Sequence, residues 1–497
     1  MYKYLKFIMF LVITMGSLTG CSFEAKSDEL YNSKLNEITV NLDKYQESND
    51  ELIKNSQNEN QQAQEAQMTD SIDSNLSGTL RISVFWPDNE RNLIAVAAKE
   101  FQALHPEVNI QIQFYDDFFK YQAQTSVELM SNTAADIIDL SLIPYEQYAD
   151  KGLFADLYPL MNADDSFNKE DYFVNVFESF EDSQNSLMAI PLSFRFNFVT
   201  MRQDFMKSFD AEFENRGGIS YQQMLDLYVT AQTEMEDEDL YMADFASAAT
   251  WFEFEWDNLV DIKNKKAYMN TPEFVRNLEK LKRIKLTEKV VQSKDGPGIL
   301  VKHYFLYNIF QRNPAVLFVQ SLKIEDIIQI LLPFNDMLYS KPIPLISDGI
   351  PIMDRTFTLG ITNTCKNKEL AWKFLSYCMA ERALPTKEID TSISLFRQGF
   401  PVNKQNFRKF LQAAVNEILR RGNALGYSFS GSRTAVIEEN IAQIEKWCSM
   451  KGRVKQMDLN IFLDLIYPDL YQYLIGEQTA EQTAARLQMK TEIYLNE

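Results

Sequence analysis

Histidine and cysteine are scarce in this sequence, with two histidines and four cysteines among 497 residues. So few histidines nearly exclude a His-rich metal site and make Ser-His-Asp or Cys-His catalysis hard to build. Cys365 lies just before one predicted helix and Cys378 lies within it. At the rise of a helix they would be about 20 Å apart, too far to form a disulfide. Cys448 could pair with either of them or with neither, and there is no CxxC motif. We therefore expect no catalytic residue, no bound metal and no cofactor.

Basic side chains are also in deficit. The chain has 70 acidic residues against 49 basic ones, a formal net charge of −21. Binding to nucleic acid or to anionic lipid headgroups needs clustered Lys and Arg, so both are disfavoured. In contrast, Phe and Tyr are abundant, with 35 and 23 copies. This length and apolar content predict a folded protein of about two to four domains.

The chain has no apolar run long enough to span a bilayer, which takes about 20 residues. Residues 7–15 form a short apolar run after Lys3 and Lys6, as in a secretory signal. Residues 18–21 read LTGC, which resembles a bacterial lipobox, in which the cysteine is acylated and becomes the new N-terminus. We predict a lipoprotein signal peptide over 1–20 and a lipid anchor, such as palmitate, on Cys21. The alternative is an ordinary signal peptide with an incidental cysteine.

Residues 21–77 are predicted to be the lipidated cysteine and a flexible tether. No aromatic residue occurs between Tyr45 and Phe85, and Gln, Asn, Ser, Asp and Glu dominate 46–75. Such a segment cannot bury enough apolar surface to fold. Helical spacing of apolar residues near 35–45 indicates either a short amphipathic helix or a nascent helix with no partner. The tether would hold a folded body roughly 40 Å from a membrane.

The folded body is predicted to begin near Gly78 with alternating strands and helices. Runs of β-branched and aromatic residues predict strands at 79–86, 108–115 and 135–140. Apolar residues at helical spacing predict helices at 90–104, 118–130 and 145–151. This βαβαβ order is typical of an α/β fold with a mostly parallel sheet. In such sheets, ligands bind beyond the carboxyl ends of the strands.

Beyond the lipobox, ordered motifs along the body resemble those of one protein family. The matching stretches are FQALHPEV at 101–108, ADII at 135–138, YADKGLFADL at 148–157, SLMAIP at 186–191, KKAYMNTPEF at 265–274, LGI at 359–361, KNKELAWKFL at 366–375, GFPVNK at 399–404 and EIYLNE at 492–497. Together they resemble extracellular solute-binding proteins of ABC importers, family 1, in the carbohydrate-binding group that includes maltose-binding protein.

The resemblance implies a two-lobed, type II periplasmic-binding-protein-like α/β fold with a hinge between the lobes. The N-terminal lobe would comprise 79–190 plus 360–400, and the C-terminal lobe 193–357 plus 405–497. The chain would cross between lobes near 191–196, 356–360 and 399–403. A ligand would bind in the cleft and be buried when the lobes close.

A sugar site needs aromatic rings to stack on the apolar ring faces and polar groups to bond the hydroxyls. Aromatic and polar residues at strand ends and predicted crossings supply both. The candidate ligand-binding residues are Trp86, Asp88, Tyr115, Asp116, Tyr145, Phe194, Arg195, Trp251, Phe252, Asp354 and Arg355.

Several candidates also have a purely structural interpretation. Trp86 could be core at a strand end, and Tyr115 with Asp116 could form a solvated turn. Tyr145 could simply cap its helix, and Arg355 could belong to a surface ion pair that contributes little. In the cluster at 251–256, Phe254 and Trp256 could simply pack in the interior of the lobe.

The sequence therefore predicts a non-enzymatic receptor for an oligosaccharide or other carbohydrate, anchored by lipid on the extracellular face of the cell membrane. Its partners would be the transmembrane subunits of an ABC permease, and a monomer is expected. One alternative is a surface-anchored glycan-processing enzyme that uses two carboxylates. Another is a sensory binding lipoprotein without a dedicated permease.

Overall fold

The computed structural model describes most of the folded body. The described residues are 76–86, 93–201, 206, 217–234, 242–243, 248–262, 264–283, 288–293, 296–301, 316–319, 342–381, 399–424, 431–455 and 461–496. The predicted signal peptide, Cys21 and all of the tether before residue 76 lie outside this part of the chain. So does Asp88, one of the candidate ligand residues.

The strands and helices of the described chain have the following bounds. The strands are β1 (Gly78–Phe85), β2 (Val108–Tyr115), β3 (Ile137–Asp139), β4 (Ile190–Phe196), β5 (Phe198–Met201), β6 (Met242–Ala243), β7 (Val260–Asp261), β8 (Lys266–Ala267), β9 (Glu288–Ser293), β10 (Gly296–Val301), β11 (Val316–Val319), β12 (Ile343–Pro344), β13 (Ile346–Ser347), β14 (Ile350–Ile361), β15 (Phe400–Pro401) and β16 (Arg453–Val454). The α-helices are α1 (Leu93–Leu104), α2 (Phe118–Met130), α3 (Tyr145–Ala149), α4 (Tyr158–Ala163), α5 (Val174–Glu178), α6 (Tyr221–Glu234), α7 (Ala248–Leu259), α8 (Pro272–Arg283), α9 (Lys368–Met379), α10 (Lys404–Ala424), α11 (Gly431–Cys448), α12 (Tyr467–Leu474) and α13 (Ala480–Asn496). A 3-10 turn at Lys169–Asp171 and a π-helical turn at Phe462–Ile466 complete them.

The predicted βαβαβ start is confirmed. β1 lies between β2 and β3 and is parallel to both. Its last four residues are buried because helices cover the sheet there. The side chain of Asp117 caps α2 by accepting a hydrogen bond from the Lys120 amide at 2.9 Å. These elements carry the carboxyl ends of three parallel strands to one edge of the sheet.

The principal sheet continues beyond this unit. Its strand order is β15-β4-β14-β3-β1-β2, and β13 and β16 also pair with β14. β14 is antiparallel to both β3 and β4, whereas β16 is parallel to it. A second sheet has the order β12-β5-β11-β6, and β7-β8 and β9-β10 form separate pairs. β4 and β5 are consecutive strands but belong to different sheets.

Two hydrophobic cores accompany the two larger sheets. The first core contains buried residues from 80–198, 353–379 and 400–448. The second core contains buried residues from 199–352 and 462–495. The family resemblance predicts 405–497 in the C-terminal lobe, but the buried side chains of α10 lie in the first core. Phe407 of α10 packs 5.1 Å from Phe400 of β15, ring centre to ring centre, which keeps the helix there.

The chain passes between the cores three times within the range that the two cores cover. Asn197 lies between β4 of the principal sheet and β5 of the second sheet. Within β14, Ile352 belongs to the second core and Met353 to the first. The third passage lies between Val454, which packs on the first core, and Ile461, which packs on the second, so it is about 50 residues later than the 399–403 that the sequence predicts. Phe400 and Val402 remain in the first core, which explains the difference.

The three cysteines of the described chain are buried and form no disulfide with one another. Cys365 and Cys378 form no disulfide, as the sequence predicts, and Cys448 pairs with neither of them. Burial raises the pKa of the Cys365 thiol to about 11, and it also raises the pKa of Cys448. These thiols are therefore protonated packing groups at neutral pH.

Candidate ligand-binding site

Residues from five strands of the principal sheet meet at one of its edges. β1, β2 and β3 are parallel, so their carboxyl ends share this edge. β14 is antiparallel to β3, so β14 starts at this edge. β4 is antiparallel to β14, so β4 ends at the same edge. We call the following residues the ligand edge: Trp86, Tyr115, Asp116, Tyr145, Arg195, Asp354 and Arg355. Ligands of α/β sheets bind at this position.

Trp86 lies directly after β1 and is 5% exposed. Its backbone amide donates to the Tyr115 carbonyl at 2.8 Å, which extends the β1–β2 ladder by one residue. Its ring lies 5.4 Å from the ring of Phe357 on β14, tilted by 56°. In this conformation most of the indole therefore packs against the sheet.

Tyr115 and Asp116 follow β2 and have opposite environments. The Tyr115 ring is buried and makes an edge contact with Tyr121 at 5.2 Å. Burial raises the pKa of Tyr115, with a further contribution from Glu128. Asp116 is exposed beside the cap residue Asp117. Only Asp116 of this pair presents its polar group to solvent.

Tyr145 and Arg355 form the most specific contact of the ligand edge. Tyr145 is the first residue of α3 and is 6% exposed. The guanidinium carbon of Arg355 lies 5.3 Å from the centre of its ring. Arg355 Nη1 also donates to the Ile143 carbonyl and to the Glu146 carboxylate, both at 3.3 Å. Burial raises the pKa of Tyr145 well above its usual range, so its hydroxyl stays protonated. The phenol thus remains a hydrogen-bond donor beside a fixed cation.

Asp354 is the centre of a buried charge cluster. It faces Arg195 across the β4–β14 ladder, and the Arg195 Nε donates to Asp354 Oδ2 at 2.7 Å. The Asn197 side-chain amide donates to Oδ1 at 3.2 Å. The Lys455 ammonium lies 2.5 Å from Oδ1. Burial alone would raise the pKa of Asp354, but Lys455 and Arg195 outweigh it and lower this pKa to about 2.

Lys455 connects this cluster to the second core. Its ammonium also lies 2.5 Å from Oε1 of Glu253 on α7, and 4.5 Å from the centre of the Phe254 ring. Burial alone would lower the pKa of Lys455, but Asp354 and Glu253 raise it overall. A single cation therefore lies between one carboxylate from β14 and one from α7.

Three further candidate aromatics, outside the ligand edge, are almost completely buried. Phe194 is fully buried and makes edge contacts with Phe173 and Phe196. Trp251 is buried in the second core, where its ring nitrogen donates to Gln222 at 3.1 Å. Phe252 is fully buried beside Trp251, with ring centres 4.8 Å apart. None of the three side chains has an exposed face in this structure.

Sequence reasoning missed Asn197, Lys455 and Glu253, which complete the cluster around Asp354. Asn197 directly follows a predicted crossing, so its position was a usable signal. Glu253 stands within the aromatic-acidic run at 251–256, but nothing in the sequence indicates its partner. Lys455 lies about 100 residues after Asp354 in a stretch without family motifs, and no local pattern links the two.

Comparison with solved structures defines the class of fold. The sugar-binding protein MalE from Xanthomonas citri has a TM-score of 0.53 at 12% identity, covering 84% of this chain and 98% of that chain. A periplasmic oligogalacturonide-binding protein from Yersinia enterocolitica has a TM-score of 0.51 at 11% identity, covering 84% and 99%. At such low identity the likeness shows the fold. The predicted type II periplasmic-binding-protein-like α/β fold is confirmed.

The family model for bacterial extracellular solute-binding proteins matches residues 86–383, well over half of the chain. The chain belongs to this family, as the motifs predict. No curated protein sequence matches the chain.

Two features are absent from the part of the chain that the structure describes. No helix among them combines the length and the apolar character that crossing a bilayer would require. No group of three or more His, Cys, Asp or Glu side chains in the described ranges is placed to hold a metal ion.

Proposed function

We propose that the protein is the extracellular substrate-binding component of an ABC importer and that its ligand is an oligosaccharide or another carbohydrate. Membership of the solute-binding family supports the receptor role. Two proteins of the same fold are described as a sugar-binding protein and an oligogalacturonide-binding protein, which supports a carbohydrate ligand. The ligand edge is the observation that carries the proposal. It combines aromatic rings with hydrogen-bonding groups, and two of its members, Arg195 and Asp354, lie next to passages between the cores.

The proposed contacts are divided between stacking and hydrogen bonding. Trp86 and Tyr145 would supply ring surface for the C–H face of a sugar. Arg355 and Asp116 would bond hydroxyl groups at the rim. Both rings are largely covered in this conformation, so binding would involve a small movement at the edge. Closure of the second core over this edge would then remove the ligand from water.

The other candidates have a weaker place in this proposal. Arg195 and Asp354 bind each other, and Tyr115 packs on Tyr121. Phe194, Trp251 and Phe252 would have to leave a core to reach a ligand, which costs about 3 kcal/mol or more for an aromatic side chain. Asp88 stays a candidate on its sequence position beside Trp86.

Calorimetric titration with a panel of linear and cyclic glucans, galacturonides and monosaccharides tests the ligand class. The wild-type chain should bind at least one saccharide saturably. Arg355→Met should weaken that binding, while Arg486→Met should not, because Arg486 pairs with Asp469 on the second core. Binding of amino acids or peptides with no response to any saccharide would contradict the proposal.

The membrane anchor and the permease are also part of the proposal. Lipidation of Cys21 followed by a tether to residue 77 would leave the folded body free to reach a permease at the membrane. Mass spectrometry of the mature N-terminal peptide should find acyl chains on Cys21. Cys21→Ser should release the protein from the membrane fraction, and an unmodified Cys21 in a membrane-bound protein would refute the anchor.

A further inference from the structure

The three segments that connect the two cores meet at one carboxylate. Arg195 and Asn197 belong to the first passage, Asp354 to the second, and Lys455 to the third. All three partners contact Asp354, Arg195 on Oδ2 and the other two on Oδ1. Each segment therefore has a polar side chain fixed to the same buried group.

The backbone brings the same segments together. Ile352 of β14 pairs with Arg453 of β16, and the Lys455 amide donates to the Met353 carbonyl at 2.9 Å. The Asn197 amide approaches the Ile352 carbonyl at 3.4 Å, a long hydrogen bond. These backbone hydrogen bonds hold the connecting segments side by side. Most of them belong to β-ladders, and a β-ladder can bend without losing its hydrogen bonds. The Asp354 cluster is the part in which side chains from all three segments converge.

Glu253 gives the cluster a connection to the second core. It lies on α7, whose neighbouring residues Phe252 and Phe254 are buried in that core. Arg195, at the other end of the cluster, lies between Phe194 and Phe196 of the first core. The chain of contacts Arg195–Asp354–Lys455–Glu253 therefore runs from one core to the other across the connecting segments.

Positive and negative side chains alternate along the Arg195–Asp354–Lys455–Glu253 contacts. All of these side chains except Glu253 are mostly shielded from solvent. The side chains of Asp354 and Lys455 are 7% and 9% exposed, and Glu253 is 34% exposed. Buried pairs of this kind are weakly screened by salt and depend strongly on geometry. A rotation of one core against the other would change the Lys455–Glu253 and Lys455–Asp354 distances directly.

We propose that Asp354 is the positioning residue of the hinge, and that the Arg195–Asp354–Lys455–Glu253 chain sets the resting angle between the two cores. This role rests on the proposed function, because it concerns the opening and closing of a two-lobed receptor. It assigns to Arg195 and Asp354 a conformational task in place of direct ligand contact.

The test measures the distance between the cores without any ligand. Val127 on α2 and Ile493 on α13 are exposed, at 64% and 52%, and can be changed to cysteine in a full-length Cys21→Ser chain. The three described native cysteines are buried, so spin labels should react at the introduced sites. Distance distributions are then recorded for the parent, Asp354→Asn and Lys455→Met.

Asp164 and Lys373 provide matched controls. Lys373 donates to the buried Asp164 carboxylate at 2.8 Å, and both residues lie on elements of the first core. Asp164→Asn and Lys373→Met remove a comparable buried pair away from the connecting segments. Lys455→Met keeps the Arg195–Asp354 pair, so it remains informative if Asp354→Asn does not fold.

The proposal predicts a shifted or broadened distance distribution for Asp354→Asn and Lys455→Met, with the parent distribution retained in both controls. Parent-like distributions in both hinge variants would overturn it, and so would equal changes in hinge and control variants. Because no sugar is used, the result is independent of whether the protein binds carbohydrate.

Discussion

Arg355 lies over the ring of Tyr145, with its guanidinium carbon 5.3 Å from the ring centre, and this places a cation from β14 against the first residue of α3. Glu146, the next residue of α3, faces the same guanidinium at 3.3 Å. The guanidinium of Arg355 is therefore held by the Tyr145 ring, the Glu146 carboxylate and the Ile143 carbonyl. Such a fixed donor loses little freedom when it bonds a ligand hydroxyl.

Removing the guanidinium should weaken sugar binding. For Arg355→Met we expect a loss of about 10- to 100-fold in affinity, because hydrogen bonds from charged groups contribute about 1.5–3 kcal/mol. Arg355→Lys should recover only part of this loss, since lysine keeps the charge without the planar stacking group. Calorimetric titration with the saccharide that the wild type binds measures both effects. Wild-type affinity in Arg355→Met would remove Arg355 from the site.

Acid should weaken the fold through Asp354. The pKa of Asp354 is about 2 in the folded protein, below the ordinary value of 3.8. A lowered carboxyl pKa contributes stability that is present above pH 4 and is lost as the pH falls toward 2. This contribution is about 2 kcal/mol. Chemical denaturation between pH 5 and pH 3 should show a steeper loss of unfolding free energy in the wild type than in Asp354→Asn. Equal slopes would contradict the assignment.

Asp257 should make the fold less stable as the pH rises, the opposite of the effect of Asp354. Burial raises its pKa to about 6, although Arg453 opposes the shift. The folded protein therefore holds this proton more tightly than the unfolded chain, and stability falls as the pH rises from about 4 to 6. Asp257→Asn should be more stable than the wild type at pH 7, by up to about 3 kcal/mol, and similar to it at pH 4. Chemical denaturation of both proteins at pH 4 and pH 7 measures this difference. An Asp257→Asn variant with the same unfolding free energy as the wild type at pH 7 would refute the prediction.

Gly452 should not tolerate a side chain. A Cβ at this position would lie 2.8 Å from Cε1 of Phe196 and 3.1 Å from Cβ of Met353, both in the first core beside the hinge. We expect Gly452→Ala to lower the unfolding free energy by about 1–3 kcal/mol through overpacking. Gly152→Ala is the control, because its Cβ would meet nothing within 4 Å and only its φ of +69° is unfavourable. A smaller loss for Gly452→Ala than for this control would argue against the contact.

The fold was largely predictable because its signals are local or ordered along the chain. The β-branched run of β1 and the helical spacing of α1 and α2 define the first parallel unit. The motifs from 101 to 404 placed that unit in a family whose fold is known. The third passage was placed too early because Gly399 and the motif after it look like a boundary. Nothing in the sequence shows that Phe407 packs on Phe400 and keeps α10 on the first core.

The site was predictable only in part. Parallel strand ends point to Trp86 and Tyr145, and a predicted crossing points to Arg355; the binding role of all three stays a prediction. Position separates Trp86 and Tyr145, which follow strands of the principal sheet, from Trp251 and Phe252, which lie on α7 in the second core. The hinge cluster depends on contacts between Asp354 and Lys455, residues far apart in the chain, and such contacts leave no local pattern.

The most direct test of the central claim is small-angle X-ray scattering of the full chain while saccharides from the panel are titrated. A receptor that closes over its ligand should show a saturable decrease in the radius of gyration with at least one saccharide, and that saccharide should remain chemically unchanged. An unaltered radius of gyration together with conversion of a glycan into new products would contradict the account and favour a surface enzyme.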